Sequence, residues 1–133
     1  MGENNEYRVI VDTAPQDAPY DHEMSAAIIV KDYFCHSVIF QRPQRLKTPD
    51  LIVGNQIWEL KSPIGDSKNT IHNLFSSARK QSLNIIIDLR KSKMHESRAF
   101  ARIREVYYKR RRKECRIIII RKRGQVVDIS QIL

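Results

Sequence analysis

A two-residue turn signal, Gly54-Asn55, stands between two short apolar segments and constrains the fold more than any other feature of the chain. A signal of this kind joins two adjacent antiparallel strands into a β-hairpin. A hairpin centred on this turn sets the following opposed pairs: Val53 with Gln56, Ile52 with Ile57, Leu51 with Trp58, and Asp50 with Glu59. The sequence therefore predicts two acidic residues directly opposite each other on neighbouring strands.

The hairpin also predicts a strand face with three charged side chains. Because side chains alternate along a strand, Glu59 and Lys61 share a face with Asp50, whereas Trp58 and Leu60 point to the other face. Opposed like charges destabilise a sheet, and a divalent cation is the simplest compensation, since Mg²⁺ prefers carboxylate oxygens. Lys61 would then stabilise a developing negative charge or position a water. A solvent-exposed polar strand face is the alternative interpretation.

Length and charge favour a single domain that binds a polyanion. The chain has 133 residues, which predicts one core, with residues 1–19 as a lead-in and residues 20–133 as the domain. The net charge is +9, so nucleic acid is the first expected partner and an anionic membrane surface the second. Of the 24 lysines and arginines, 15 lie between residues 90 and 123, which predicts one basic face. No apolar run is long enough to span a bilayer.

The hydrophobic patterns predict an α/β domain. Helices are expected over residues 21–34, from a cap at Asp66 or Ser67 to about Gln81, and over residues 96–111. Strands are expected over residues 8–11 and 37–40, in the hairpin, and over residues 84–89, 116–121 and 126–129. This order predicts a central mixed β-sheet flanked by helices on both sides. Cys35 and Cys115 match no metal-ligand spacing and are expected to be buried reduced thiols, with a disulfide as the alternative.

Several motifs in this order resemble a known family of enzymes. The chain is similar to the PD-(D/E)XK nuclease superfamily, and more specifically to the C-terminal tRNA nuclease toxin domains of contact-dependent growth inhibition proteins (the CdiA type). The resemblance covers residues 20–128 and is strongest over residues 48–88. It is carried by Thr48-Pro49-Asp50, by Trp58-Glu59-Leu60-Lys61-Ser62-Pro63, by the Ser67-Lys68 helix start and by Lys80-Gln81-Ser82-Leu83-Asn84-Ile85-Ile86-Ile87-Asp88.

The resemblance implies a restriction-endonuclease-like core and a metal-dependent endonuclease that cleaves RNA, with tRNA as the expected substrate. It implies Mg²⁺ or Mn²⁺ as the cofactor, Asp50 and Glu59 as metal ligands and Lys61 as the catalytic lysine. Gln81 is a candidate polar helper near the end of the second helix. Asp88 ends a buried strand and is expected to be a structural acid rather than part of the site.

Glu23 is the third acid that the resemblance places in the site. On the first helix it shares a stripe with Ala27, Val30 and Phe34, so its carboxylate is expected to point toward the sheet. Burial there is costly unless a cation compensates the charge. The alternative is an ordinary first-turn acid that complements the helix dipole.

Basic residues on two helices are candidate nucleic-acid contacts. Arg98, Arg102, Lys109 and Arg112 fall along one side of the third helix, where they could follow a phosphate backbone. Lys68 heads the second helix, whose N-terminus could hold a phosphate. Solvated helix faces are the competing interpretation for both groups.

The resemblance also implies a biological setting. It predicts a cognate immunity protein that covers the basic cleft, and action in the cytoplasm of a target bacterium after delivery as part of a larger secreted toxin. Two alternatives stay open on the residues alone, since fold does not fix function. One is a DNA endonuclease of the same fold, and the other is a non-catalytic basic module that binds nucleic acid.

Overall fold

The computed structural model describes residues 6–41, 50–78, 84–109 and 116–129, without the side chains of Asp50 and residues 76–78. Seven strands and three α-helices lie in these ranges. The chain forms two compact units, one up to Leu60 and one from Lys61 onward.

The first unit holds four strands in chain order and one α-helix. The elements are β1 (Val9–Asp12), a 3-10 turn (Pro15–Asp17), α1 (Asp21–Phe34), β2 (Val38–Gln41), β3 (Asp50–Val53) and β4 (Gln56–Lys61), whose last residue begins the second unit. β1 is parallel to β2, and the pairs β2–β3 and β3–β4 are antiparallel.

Helix α1 has the bounds that the sequence predicts, and it packs its small residues onto β1, β2 and β3. Ala27 and Val30 of the predicted stripe are fully buried, and Ala26 is buried beside them. The helix ends at Cys35, which adopts the left-handed conformation with φ 52°. The thiol of Cys35 is exposed, so the prediction of a buried cysteine is wrong at this position. The reason is that Cys35, the αL residue after the helix, lies at the solvent-facing end of α1. Cys115 lies outside the described residues.

The second unit is built on three strands and two helices. The elements are α2 (Thr70–Ala78), β5 (Asn84–Asp88), α3 (Glu96–Lys109), β6 (Arg116–Ile120) and β7 (Val126–Asp128). β5 is parallel to β6, and β6 is antiparallel to β7. The isoleucines of β5 and β6 are buried on both faces, as the continuous apolar runs predict. Residues of α2 and α3 join those of the strands in one hydrophobic cluster.

Helix α2 departs from the prediction at its start, whereas α3 begins at Glu96 as predicted. Helix α2 begins at Thr70 rather than at Ser67 or Lys68, because Ser67 and Thr70 first close a turn. In this turn the Thr70 N–H donates to the Ser67 carbonyl at 3.2 Å, and the two hydroxyl oxygens lie 2.9 Å apart. The predicted C-terminal ends of both helices lie outside the described residues. The buried face of α3 is formed by Ala99, Ile103 and Val106, with Phe100 and Tyr107 half-buried beside it.

Both parallel and antiparallel strand pairs occur beside helices, so the mixed α/β class is confirmed. The placement of helices on both sides of one central sheet, the PD-(D/E)XK core and the single-domain boundaries stay predictions. Within the described ranges, no helix has the length and apolarity needed to cross a membrane.

Candidate active site

The hairpin positions the two opposed acids, and its register is the predicted one. Asp50 is paired with Glu59, Leu51 with Trp58, Ile52 with Ile57 and Val53 with Gln56. Gly54 has φ +62°, and Asn55 is not among the described residues with positive φ. Positive φ at only the first central residue is the pattern of a type II′ turn, whose twist matches that of the flanking strands. The turn thus fixes the register that places Asp50 and Glu59 opposite each other.

Glu59 is the buried acid of this hairpin. Its exposed fraction is 0%, and its neighbours Trp58 and Leu60 are 1% and 6% exposed. Trp58 packs its ring against Phe34 of α1, with the centroids 5.3 Å apart. Both faces of β4 are therefore covered at this point, and the alternative of a solvent-exposed strand face does not hold for Glu59. Ionised carboxylates are almost never fully buried unless another group compensates their charge.

Asp50 begins β3 directly opposite Glu59. Residues opposed in this way have Cβ atoms about 4.5–5.5 Å apart, a spacing that one cation can bridge. The Asp50 side chain lies outside the description, so the convergence of the two carboxylates stays a prediction. Among the side chains that the structure describes, no three His, Cys, Asp or Glu residues form a group that could hold a metal.

Glu23 has a local partner in α1. Its Oε1 atom accepts a hydrogen bond from the Tyr20 backbone N–H at 2.8 Å, at the N-terminus of the helix. This is the first-turn capping role that the sequence left as the alternative. The role of Glu23 as a metal ligand stays a prediction.

Lys61 is the last residue of β4 and lies two residues after Glu59. Because side chains alternate along a strand, the side chains of these two residues project from the same face of β4. In the second unit Lys61 borders an open cleft of about 330 Å³. The other residues that line this cleft are Ser62, Pro63, Thr70, Asn73 and Leu74. We call it the Lys61 cleft; it presents an ammonium beside hydroxyl and amide groups from the first turns of α2.

A second opening lies between α2 and α3, and it gathers three of the predicted nucleic-acid contacts. This opening, the α2–α3 cavity, has a volume of about 230 Å³. It is lined by Lys68, Asn69, His72, Arg102, Glu105, Val106 and Lys109. Lys68, Arg102 and Lys109 are therefore brought together by the fold. Arg98 is exposed one turn before Arg102 and does not line the cavity; Gln81 and Arg112 lie outside the described residues.

The cavity contains one acid that the sequence reasoning did not single out. Glu105 forms ion pairs with Arg102 at 3.5 Å and with Lys109 at 3.3 Å. The hydrogen bond from Lys109 is the main reason that the pKa of Glu105 is lowered, and the positive charge of Lys109 adds to it. The spacing of residues 102, 105 and 109 indicates a shared helix face, but only the packing of α2 on α3 shows that Asn69 and His72 face it.

Asp88 is buried and paired with Arg90, which agrees with the structural role expected for it. It is 2% exposed, and its Oδ1 atom accepts hydrogen bonds from the Arg90 backbone N–H at 3.1 Å and from Nε at 2.9 Å. Its Oδ2 atom accepts another from Arg90 Nη2 at 2.8 Å. The hydrogen bond with Asp88 also raises the pKa of the Arg90 guanidinium. This bidentate pair closes the end of β5 and commits the Asp88 carboxylate to the fold.

Comparisons with known proteins agree with this architecture. The sequence model of the contact-dependent growth inhibition CdiA C-terminal domain matches residues 47–126. A solved structure, the CdiA-CT/CdiI toxin and immunity complex from Burkholderia pseudomallei, is similar with a TM-score of 0.53 and 15% identity, over 90% of this chain and 97% of that one. At that identity the likeness shows the fold alone. None of the curated proteins matches the chain significantly. Since the matched segment spans more than half of the sequence and includes the hairpin, the chain belongs to the contact-dependent growth inhibition CdiA C-terminal domain family.

Proposed function

We propose that this chain is the toxin domain of a contact-dependent growth inhibition system and that it is a metal-dependent endoribonuclease of the PD-(D/E)XK type. Its reaction would be the hydrolysis of phosphodiester bonds in RNA, with tRNA as the substrate. The single observation that carries the proposal is the register of the hairpin, which sets the fully buried Glu59 opposite Asp50. Two opposed carboxylates repel each other on a sheet, and a cation bound between them would offset that repulsion.

The donor set suits Mg²⁺ or Mn²⁺ rather than a softer metal. Asp50 and Glu59 offer carboxylate oxygens, and hard divalent cations prefer oxygen ligands. Glu23 would contribute a further oxygen, because the hydrogen bond from Tyr20 occupies only Oε1. When bound, the cation supplies Lewis-acid stabilisation of the phosphate and lowers the pKa of a coordinated water.

Lys61 and the polar groups of the Lys61 cleft would act on the substrate directly. The Lys61 ammonium carries a fixed positive charge that stabilises the charge developing on the phosphate oxygens during hydrolysis. Thr70 and Asn73 line the same cleft and offer a hydroxyl and an amide to hold the sugar-phosphate backbone. Gln81, the candidate helper, would add one more polar group near the end of the second helix.

Binding of RNA is supported by the positive charge of the chain and by its location. The net charge of +9 favours a polyanionic partner. Lys68, Arg102 and Lys109 surround one cavity, and Arg98 extends the basic side of α3 by one turn. Arg112 would continue the same side. The preference for tRNA rests on the family resemblance, because RNA and DNA present the same phosphate chemistry to these side chains.

A cognate immunity protein is the second proposed partner. The similar Burkholderia pseudomallei structure is a toxin and immunity complex, and a toxin that cleaves RNA would kill the cell that produces it without such a protein. An acidic immunity protein that covers the Lys61 cleft and the α2–α3 cavity would block both proposed contacts with RNA. The toxin domain would act in the cytoplasm of the target bacterium after delivery as part of a larger secreted protein.

Cleavage assays test the proposal directly. Purified tRNA and plasmid DNA are incubated side by side with the protein in Mg²⁺, in Mn²⁺ and in excess chelator. We expect cleavage of tRNA that requires the metal and is abolished by Asp50→Ala and by Lys61→Ala, with circular dichroism spectra that match the wild type. Cleavage of DNA alone would identify a DNA endonuclease. RNA binding without cleavage under either metal would identify a non-catalytic module, and full activity of either variant would remove the mechanism.

A further inference from the structure

The α2–α3 cavity has the chemistry of an anion site in which two of the three cations already pair with an acid. Three of its lining residues are permanent cations, Lys68, Arg102 and Lys109, and one is an acid, Glu105. Glu105 bridges Arg102 and Lys109 through different carboxylate oxygens, Oε2 and Oε1. A phosphate group offers the same arrangement of oxygens to the same two cations, with more negative charge.

The ion pairs of Glu105 are weak enough to be exchanged. The side chain of Glu105 is 48% exposed, and those of Arg102 and Lys109 are 34% and 73% exposed. Exposed pairs of this kind contribute little to stability, so a ligand can displace the carboxylate at small cost. The cavity wall itself is firm, because Val106 is 7% exposed and belongs to the hydrophobic cluster shared by α2 and α3.

The cavity and the Lys61 cleft lie on different sides of the beginning of α2. Asn69 and His72 line the cavity, whereas Thr70 and Asn73 line the cleft, and the two openings share no lining residue. A nucleic-acid strand that crosses the first turns of α2 could therefore contact both openings through different phosphates. The imidazole of His72 and the amide of Asn69 add hydrogen-bond donors on the cavity side.

We propose that the α2–α3 cavity binds a backbone phosphate of the RNA other than the one that is cleaved, and that Glu105 is a built-in competitor for that phosphate. Arg102, Lys109 and Lys68 hold the phosphate, and Glu105 releases the first two residues when RNA binds. This inference rests on the proposed function, which supplies RNA as the ligand. It adds a second phosphate subsite. It also predicts that Glu105 weakens RNA binding, whereas a residue that supports the subsite would strengthen it.

Binding measurements on charge variants test this proposal. Fluorescence anisotropy of a short labelled single-stranded RNA is recorded in excess chelator, where the RNA stays intact, at several salt concentrations. We expect Glu105→Gln to bind about fivefold more tightly than the wild type, because two cations lose a competing partner. Arg102→Gln and Lys109→Gln should each bind about five- to tenfold more weakly, with the logarithmic salt slope reduced by about 0.7.

Two matched controls separate the cavity from net charge. Asp32→Asn removes one negative charge from an exposed residue of α1, and we expect RNA affinity within about twofold of the wild type. Arg104→Gln removes one positive charge from an exposed residue of α3 that does not line the cavity, and its salt slope should not change. Equal effects of Glu105→Gln and Asp32→Asn, or of Arg102→Gln and Arg104→Gln, would overturn the proposal, as would weaker binding by Glu105→Gln.

The outcome is independent of whether the protein cleaves RNA. A protein that shows the expected binding pattern but cleaves no RNA in Mg²⁺ or Mn²⁺ would contradict the proposed function and keep the phosphate subsite. A protein that cleaves tRNA but shows no difference between the cavity variants and their controls would contradict the subsite and keep the proposed function.

Discussion

The pair formed by Asp88 and Arg90 gives a prediction that decides whether this strand-end acid belongs to the fold or to the chemistry. The Asp88 side chain is 3% exposed, and the Arg90 guanidinium donates two hydrogen bonds to it. Arg90→Met removes both bonds and leaves a buried carboxylate that keeps the hydrogen bond from the backbone N–H of residue 90. Removing one partner of a buried pair costs about 3–5 kcal/mol.

The expected loss lies below that range because the Arg90 side chain is 22% exposed and water can partly replace it. We expect Arg90→Met to lower the free energy of unfolding by about 2–3 kcal/mol. With a urea m-value of about 1–3 kcal/mol/M for a small protein, the midpoint of unfolding should fall by about 0.7–3 M. The double variant Asp88→Asn, Arg90→Met should lose only about 1 kcal/mol, because no unpaired charge is then buried.

Urea unfolding followed by far-ultraviolet circular dichroism measures these values, with Arg123→Met as the matched control. Arg123 is exposed, and its replacement should change the unfolding free energy by less than about 0.5 kcal/mol. A loss below about 1 kcal/mol for Arg90→Met, or an equal loss in the double variant, would refute the reasoning. Folded Asp88→Asn should still cleave RNA; loss of cleavage in that variant would move Asp88 into the active site.

Two further predictions concern the turn and the acid of the α2–α3 cavity. Gly54 has φ +62°, and a Cβ atom there would meet only an ordinary contact with His36 at 3.9 Å. Gly54→Val should therefore lower the free energy of unfolding by about 1–3 kcal/mol from backbone strain alone, and Gly54→Asn by less, because asparagine adopts positive φ more readily than valine. Urea unfolding measures both values. The pKa of the Glu105 carboxyl, measured by ¹³C NMR, should lie below about 4.3, the value of an ordinary glutamate. The stabilisation from its ion pairs is therefore complete above the pKa of an ordinary glutamate and is lost as the pH falls through the lower folded-state pKa. If Glu105→Gln lost as much unfolding free energy on acidification as the wild type, this prediction would be contradicted.

Local signals in the sequence were sufficient for the hairpin and for α1. The turn residues Gly54-Asn55 and the apolar pattern of the two strands together determine the register, since a shift of one residue would turn the apolar side chains to the wrong face. Helix α1 begins and ends at the predicted residues because Pro19 limits it on one side and a left-handed residue follows it on the other. The buried strands β5 and β6 follow in the same way from their continuous isoleucine runs.

The features that sequence reasoning could not supply depend on packing between distant elements. The burial of Glu59 follows from covered faces of β4 and not from the residues beside it in sequence. The α2–α3 cavity exists because the two helices pack together, which brings Lys68 and His72 close to Arg102 and Lys109. The start of α2 was predicted too early because the turn between Ser67 and Thr70 satisfies the same backbone groups as a helix cap.

The central claim is that Asp50 and Glu59 together hold the divalent cation that cleavage requires. Mn²⁺ binding, measured by electron paramagnetic resonance of the free ion, tests it on the wild type, Asp50→Asn, Glu59→Gln and the exposed-acid control Asp32→Asn. We expect the two hairpin variants to bind Mn²⁺ at least about tenfold more weakly, while the control keeps the wild-type affinity. Wild-type affinity in either hairpin variant, with its fold intact, would contradict the account.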